Sequence, residues 1–445
     1  MIMPENADRA TGPLGTVRQF FGLQRDVLVL SLAMFAFSLG FQMTSRFLPD
    51  YLIALGASGF VVGMFATVGN VISAVYPYPG GAVSDRIGSR YALTLFGLLS
   101  TVGFAVWLLA GRVDSISFGG IVLEPWIWIF VGLCLAQAWK SFGLGATFAV
   151  VKQATEPPRL AAGFASTETF RRVAFLLGPV LAAVLIGLHP YFTVGFQYVL
   201  AVGVCFGLLG TVAQHLLYDA SEDTLGDSFA GLDRIRRDLH EMPDPLGPLL
   251  VGDTLVRFAN GMVYAFFILV VTRLYGIGFA TTISVGGLSY SIGLSPQVFF
   301  GYLLGVEMLV ALLVMAPAAK VAERVGLKPV VALGFAVYAI FPIVLIGAPA
   351  TAPAMILVFA FSGLRFAGLP SHKALIVGPA GQGSGGRVTG TYYLLRNAIV
   401  IPSGALGGYL WDYVSPEMAF TLATVIGLVG TGYFLVFGEE SEAYA

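Results

Sequence analysis

Pro79-Gly-Gly-Ala-Val-Ser-Asp85-Arg86-Ile-Gly88-Ser-Arg90 recurs later in the chain, without a gap, as Pro317-Ala-Ala-Lys-Val-Ala-Glu323-Arg324-Val-Gly326-Leu-Lys328. Pro, Val, Arg and Gly are identical, and the acid and the final base keep their sign. Gly63 and Gly301 fall in the same register. A second register pairs Lys140-Ser-Phe-Gly-Leu144 with Arg365-Phe-Ala-Gly-Leu369, Arg171 with Arg396, and Ala182-Ala183 with Gly407-Gly408. Two separate stretches agreeing on that one shift identify an internal duplication, the signature to seek before any other.

The duplicated segments sit among long apolar runs. The 445 residues are 57% hydrophobic and 11% charged, with a mean hydropathy of +0.84. A soluble domain carries roughly 25% charged residues. About 20 apolar residues cross the hydrocarbon as a helix. Twelve such runs are read: 27–49, 59–80, 91–110, 125–147, 161–187, 194–217, 248–271, 297–318, 329–348, 354–377, 388–411 and 416–437.

Charge orients them. With the N-terminus inside, the inner segments hold Arg9, Arg18, Arg25, Arg86, Arg90, Lys152, Arg159, Arg234, Arg236, Arg237, Lys320, Arg324, Lys328 and Arg387, and the outer loops only Arg112 and Arg273. That asymmetry places both termini in the cytoplasm. The chain divides into a cytoplasmic segment 1–26, a six-helix half 27–217, a linker 218–247, a second half 248–437 and a tail 438–445. Phe229, Leu232, Ile235 and Leu239 recur at helical spacing, so the linker reads as an amphipathic helix on the inner membrane face. The fold class is an all-α membrane protein of twelve transmembrane helices in two pseudo-symmetric halves.

Composition excludes several functions. The net charge of −1 offers no basic field for nucleic acid. Cys134 and Cys205 lie in apolar runs and lack metal spacing. No signal peptide is read in the polar N-terminal segment. Gly381-Gln-Gly-Ser-Gly-Gly386 matches a dinucleotide fingerprint but has no βαβ context and carries little weight. No Walker loop, hydrolase motif or zinc motif is found, so neither an enzyme nor a cofactor is expected.

The Gly81 to Arg90 stretch resembles the signature loop between the second and third helices of the major facilitator superfamily. Its degraded copy, Glu323 to Lys328, falls where that family has one. The resemblance covers the whole chain and implies a secondary transporter working by alternating access as a monomer of the plasma membrane. It implies a latch of Gly81, Asp85, Arg86, Gly88, Arg90, Glu323 and Arg324 that steadies the outward-facing state. Gly178-Pro179-Val-Leu-Ala182-Ala183 partly matches a run in the family's antiporters. On that basis the chain resembles the drug:proton antiporter branch, and proton-coupled efflux of a small organic solute is the leading expectation.

Charges within spans mark pathways or relays. Arg46–Asp50, Glu168–Arg172 and Asp253–Arg257 are spaced i,i+4 and are expected to neutralise each other. Lys373 and Arg46 are expected to snorkel from span ends, and His372 reads as incidental. Lys140, Arg171, Arg365 and Arg396 then lack local counter-ions. Glu307 can pair with one of them. With Tyr392 and Tyr393 they form the candidate substrate site, and an interhelical salt-bridge network that orders the two halves is the alternative reading of the same cations. Glu168, Glu307, Asp50 and Asp253 are the candidate proton carriers. Uptake or exchange of an organic or inorganic anion is the alternative function, and a non-transporting membrane sensor or scaffold is the alternative of another class.

Overall fold

A computed structural model of the chain describes residues 25–118, 121–142, 160–218, 242–285, 288–379 and 385–440. The fold is mostly helical. The N-terminal group comprises α1 (Arg25–Thr44), α2 (Leu48–Ala54), α3 (Gly59–Val75), α4 (Pro77–Ile87), α5 (Ser89–Ala110), α6 (Ile127–Phe142), α7 (Leu160–Gly187) and α8 (Phe192–Leu217). In the C-terminal group, α9 (Leu246–Val263) continues through tighter and wider turns to Leu274. It is followed by α10 (Pro296–Val325), α11 (Leu327–Gly347), α12 (Ala352–Gly363), α13 (Leu369–Val377), α14 (Gly385–Val400), α15 (Ser403–Tyr413) and α16 (Pro416–Phe437).

Among the described residues, seven stretches are long and apolar enough to cross a membrane by length and composition: Ser89–Ala110, Phe192–Leu217, Leu246–Leu274, Pro296–Met315, Leu327–Gly347, Ala352–Ile376 and Pro416–Phe437. Shorter apolar helices accompany them, because several runs are interrupted. A turn at Ser45–Phe47 separates α1 from α2, Pro77 begins α4, and Ile401-Pro402 separates α14 from α15. Proline lacks the amide proton a helix interior needs. Leu209, Leu357 and Val436 are 64%, 71% and 72% exposed, which suits side chains facing lipid.

The two quoted motifs adopt one geometry. Gly88 joins α4 to α5 at φ 83°, ψ 155°, and Gly326 joins α10 to α11 at φ 93°, ψ 165°. Positive φ is open to glycine and strained for other residues. Each glycine amide donates to the carbonyl four residues back, Ser84 or Ala322. The same neighbours recur in each group: α5 packs on α6 and α8, and α11 packs on α12 and α16; α1 packs on α7 and α8, and α9 on α15 and α16.

Two readings are corrected. The expectation of an all-α chain overlooked two antiparallel hairpins, Ile116–Phe118 with Ile121–Leu123, and Phe279–Val285 with Leu288–Leu294. Their β-branched and aromatic residues favour strands, and pairing satisfies backbone groups that a bare loop would leave open. The span read as 297–318 extends as helix to Val325, because helix continues past the apolar run to the Gly326 turn. The hairpins mark one end of the bundle. Arg86, Arg90, Lys320, Arg324 and Lys328 mark the other, the basic end. Residues 1–24, most of the linker (219–241) and residues 381–384 of the glycine-rich motif lie outside the described residues.

Candidate functional site

The two helix groups meet along α3 with α14 and α15, and along α7 with α10. Glycines set the separation. A Cβ added to Gly63 would lie 2.7 Å from the Gly408 Cα, and one added to Gly301 2.7 Å from the Ala183 Cβ. The Ala405 amide donates to the Thr67 hydroxyl at 2.8 Å across the first seam. At the hairpin end, Asp412 accepts from the Gly59 and Phe60 amides at 3.1 and 2.6 Å. A carboxylate at a helix N-terminus meets orphan donors and the positive end of the dipole. Nearby, Asp50 accepts from Arg273 Nε at 2.6 Å and from Gln297 Nε2 at 2.9 Å. Phe47 stacks edge-on against Phe300, with centroids 5.9 Å apart. The hairpin end is therefore closed between the two helix groups.

Deeper in, two buried carboxylates organise the charges. Glu307 on α10 lies 2.6 Å from Arg365 Nη2, accepts from the Ser362 hydroxyl, and lies 3.6 Å from Arg46 Nη2. Asp253 on α9 accepts from Arg257 Nε at 3.2 Å, and from Arg396 Nη1 and the Tyr392 hydroxyl at 3.1 Å each. His372 Nε2 stands 3.3 Å from Asp253 Oδ2 without hydrogen-bond geometry. Within this cluster four guanidinium groups share two carboxylates, and four minus two leaves an excess of two positive charges in the cluster. Among the described residues, three guanidinium nitrogens are buried and lack a hydrogen-bond acceptor: Arg46 Nη1, Arg365 Nε and Arg365 Nη1.

Aromatic faces supply part of the compensation. Arg46 lies 4.1 Å from the Tyr264 centroid, Arg365 5.0 Å from Phe366 and 5.1 Å from Tyr338, and Arg396 4.6 Å from Tyr393. Two cavities of about 230 Å³ each adjoin this array. One is lined by Phe41, Phe65, Asn70, Gln137, Lys140 and Phe300 among others, the second by Gln42, Arg257, Asn260, Glu307, Tyr338 and Arg365. Arg46 and Tyr264 line both.

Several sequence readings change here. Arg46 and Asp50 do not pair with each other, because Asp50 turns to Arg273 and Arg46 to Glu307. Arg46 does not snorkel; its side chain is 9% exposed. Arg365 and Arg396, read as lacking local counter-ions, do lack them on their own helices and meet carboxylates contributed by other helices. Asp253–Arg257 does form the expected i,i+4 pair. Tyr392 is buried and donates to Asp253 rather than lining either cavity, and Tyr393 packs over Arg396. Lys140 lines the first cavity, its ammonium 5.9 Å from the Phe41 centroid. Of the loop motif, Arg90 Nε donates to the His215 carbonyl at 2.8 Å, while Arg86, Glu323 and Arg324 are exposed. The side chains of Asp85, Glu168 and Arg171 lie outside the described residues.

Asp412, Gln297 and Glu440 were not singled out from the sequence, and Arg273 reads there only as an outer-loop base. Glu440 accepts from the Leu327 and Lys328 amides at 2.9 Å each, clasping the start of α11. The only signal for such groups is an acid close to a span end, which says nothing of its distant partner.

The Major Facilitator Superfamily sequence model matches residues 30–305, more than half of the chain. The chain belongs to the major facilitator superfamily, a family of membrane transporters rather than an enzyme class. Over 202 residues, 45% of this chain, it is 30% identical to an uncharacterized MFS-type transporter of Mycobacterium tuberculosis, and the match spans 43% of that relative, less than half its length. An uncharacterized MFS-type transporter of Methanocaldococcus jannaschii is 20% identical over 93% of this chain and 95% of its own. Among solved structures, a mutant of the nucleoside transporter NupG superposes with a TM-score of 0.71 at 10% identity, covering 93% of this chain and 99% of that one. A POT family transporter in complex with 5-aminolevulinic acid follows at 0.69 and 14%, covering 94% and 97%. At such identities the likeness bears on the fold alone.

Proposed function

We propose that this chain is a proton-coupled secondary active transporter of a small organic solute, working by alternating access as a monomer of the plasma membrane. Its twelve spans form two six-helix halves, 27–217 and 248–437, joined by the linker 218–247, and the halves rock about a central site. The basic end faces the cytoplasm, because bases are retained there. The observation that carries the reading is the buried Glu307 beside cavities between two helix groups that are closed together at the hairpin end. A carrier closed to the outside has this arrangement.

Glu307 is the proposed proton carrier. Protonation removes the charge that holds Arg46 and Arg365, so proton and solute are linked through one site. Asp50 belongs instead to the outer closure, with Arg273 and Gln297. The Asp85 loop is proposed to steady the opposite state, when the basic end closes.

The Gly178-Pro179 run implied export. Gly178 meets Gln42, and Ala183 meets Gly301, so these positions make close helix contacts. The excess positive charge of the cluster favours an anionic solute, and with it we adopt the alternative considered from the sequence, uptake or exchange of an anion. Reconstituted Glu307→Gln tests the coupling. It should keep solute exchange across equal pH and lose accumulation driven by a pH gradient. Undiminished gradient-driven accumulation would remove Glu307 from the mechanism.

A further inference from the structure

We propose that the solute is an amphipathic organic monoanion, its acidic head on Arg46 and its apolar body in the aromatic cavity alongside. The inference rests on the transporter reading above and adds the charge and shape of what is carried.

Arg46 is set apart from the other cations of the chamber. Arg365 holds Glu307 at 2.6 Å and Arg396 holds Asp253 at 3.1 Å, whereas Arg46 stands 3.6 Å from its carboxylate. Its side chain is 9% exposed, and its Nη1 is buried without an acceptor. A guanidinium donor removed from water and left open is costly, so such groups call for an explanation. An incoming acid supplies the missing acceptor and offsets excess positive charge. Arg46 also lines both cavities, so a head placed there can extend its body into either. The first cavity has apolar walls of Phe41, Phe65, Phe300 and Ile268 for the body, with Asn70, Gln137 and the Lys140 ammonium as polar points. At about 230 Å³ it falls below the roughly 300 Å³ at which drug-sized pockets begin. A single ring or short branched chain with one acid fits; a polycyclic cation fits neither in size nor in sign, since it would meet Arg46 and Lys140 in this cavity.

The test is equilibrium binding to the purified full chain in detergent. Phenylacetate presents head and body, acetate the head alone, and phenethylamine a similar body with the opposite charge. Phenylacetate should bind at least tenfold more tightly than either of the others. Arg46→Gln should weaken phenylacetate at least tenfold, and Arg46→Lys, which keeps the charge but loses the fork, should recover part of the loss. Melting temperatures of both variants identify loss of folding, and Arg46→Lys keeps the question answerable if Arg46→Gln does not fold. Preference for phenethylamine, equal binding of acetate, or no binding of phenylacetate by folded protein would overturn the proposal. Flux separates the two layers of the argument. Arg46-dependent binding of phenylacetate with no flux of aromatic anions refutes the transporter reading and leaves the site; flux of organic cations alone does the reverse.

Discussion

Gly63→Ala should open the hairpin end. The new Cβ would lie 2.7 Å from the Gly408 Cα and 2.9 Å from the Gly408 amide nitrogen. Carbon atoms pack at about 3.5–4.0 Å, so the two backbones must part by roughly an ångström, and neither has a side chain that can rotate away. Overpacking of this kind costs about 1–3 kcal/mol. The strain arises only where α3 meets α15, between the helix groups, so it falls on the closed state and spares packing within each group. An equilibrium between closed and open states would shift by about 5- to 150-fold. The assay uses a chain lacking Cys134 and Cys205, with a single cysteine at Ser45, which lines the first cavity. A membrane-impermeant maleimide applied from the hairpin side should label this cysteine at least fivefold faster with Gly63→Ala than without it. Unchanged labelling in folded, inserted protein would show that this seam does not close the hairpin end.

Asp412→Asn keeps the shape of the helix cap but loses its charge, so it should speed labelling of the same Ser45 cysteine, reflecting about 0.5–1 kcal/mol lost from the closed state; slower labelling would contradict the clasp. Asp253→Asn leaves the partly buried Arg257 and Arg396 without their carboxylate, a loss toward the lower end of the about 3–5 kcal/mol expected when a buried pair is broken. Its melting temperature should fall well below that of the parent, and an unchanged value would mean that the network contributes little to stability. Cysteines at Ser228 and Ser117 should label from opposite faces of the membrane, since base asymmetry puts the linker inside; labelling from one face would overturn the orientation. Asp85→Asn should reduce turnover more than insertion, and normal turnover would reduce the loop to a topology signal.

The repeat was legible in sequence because it rests on local chemistry. Gly88 and Gly326 are both required by a turn at positive φ, so matching letters reported matching backbone. Asp253–Arg257 was legible for the same reason, since i,i+4 residues on a helix are neighbours in any fold. The rule misled at Arg46 and Asp50. Those side chains share the spacing, but the turn at Ser45–Phe47 breaks the helix between them, and each finds a partner more than two hundred residues away. Glu307 with Arg365, and Asp412 with Gly59, depend on how separate helices dock, and nothing local in the chain encodes those pairings. The loops that fold as hairpins read only as the intervals between apolar runs, although Leu288-Ser-Tyr-Ser-Ile-Gly-Leu294 alternates apolar with small or polar residues at the period of a strand.

Proton movement measured alongside solute flux tests the central claim most directly. Proteoliposomes holding a pH-sensitive dye in the lumen would be offered labelled organic anions and cations that do not cross protein-free liposomes. The account predicts that a small amphipathic anion enters, that the lumen acidifies in step with it, and that an inward proton gradient drives its accumulation. Folded, inserted protein that moves none of these solutes, or moves one without any proton movement, would contradict it.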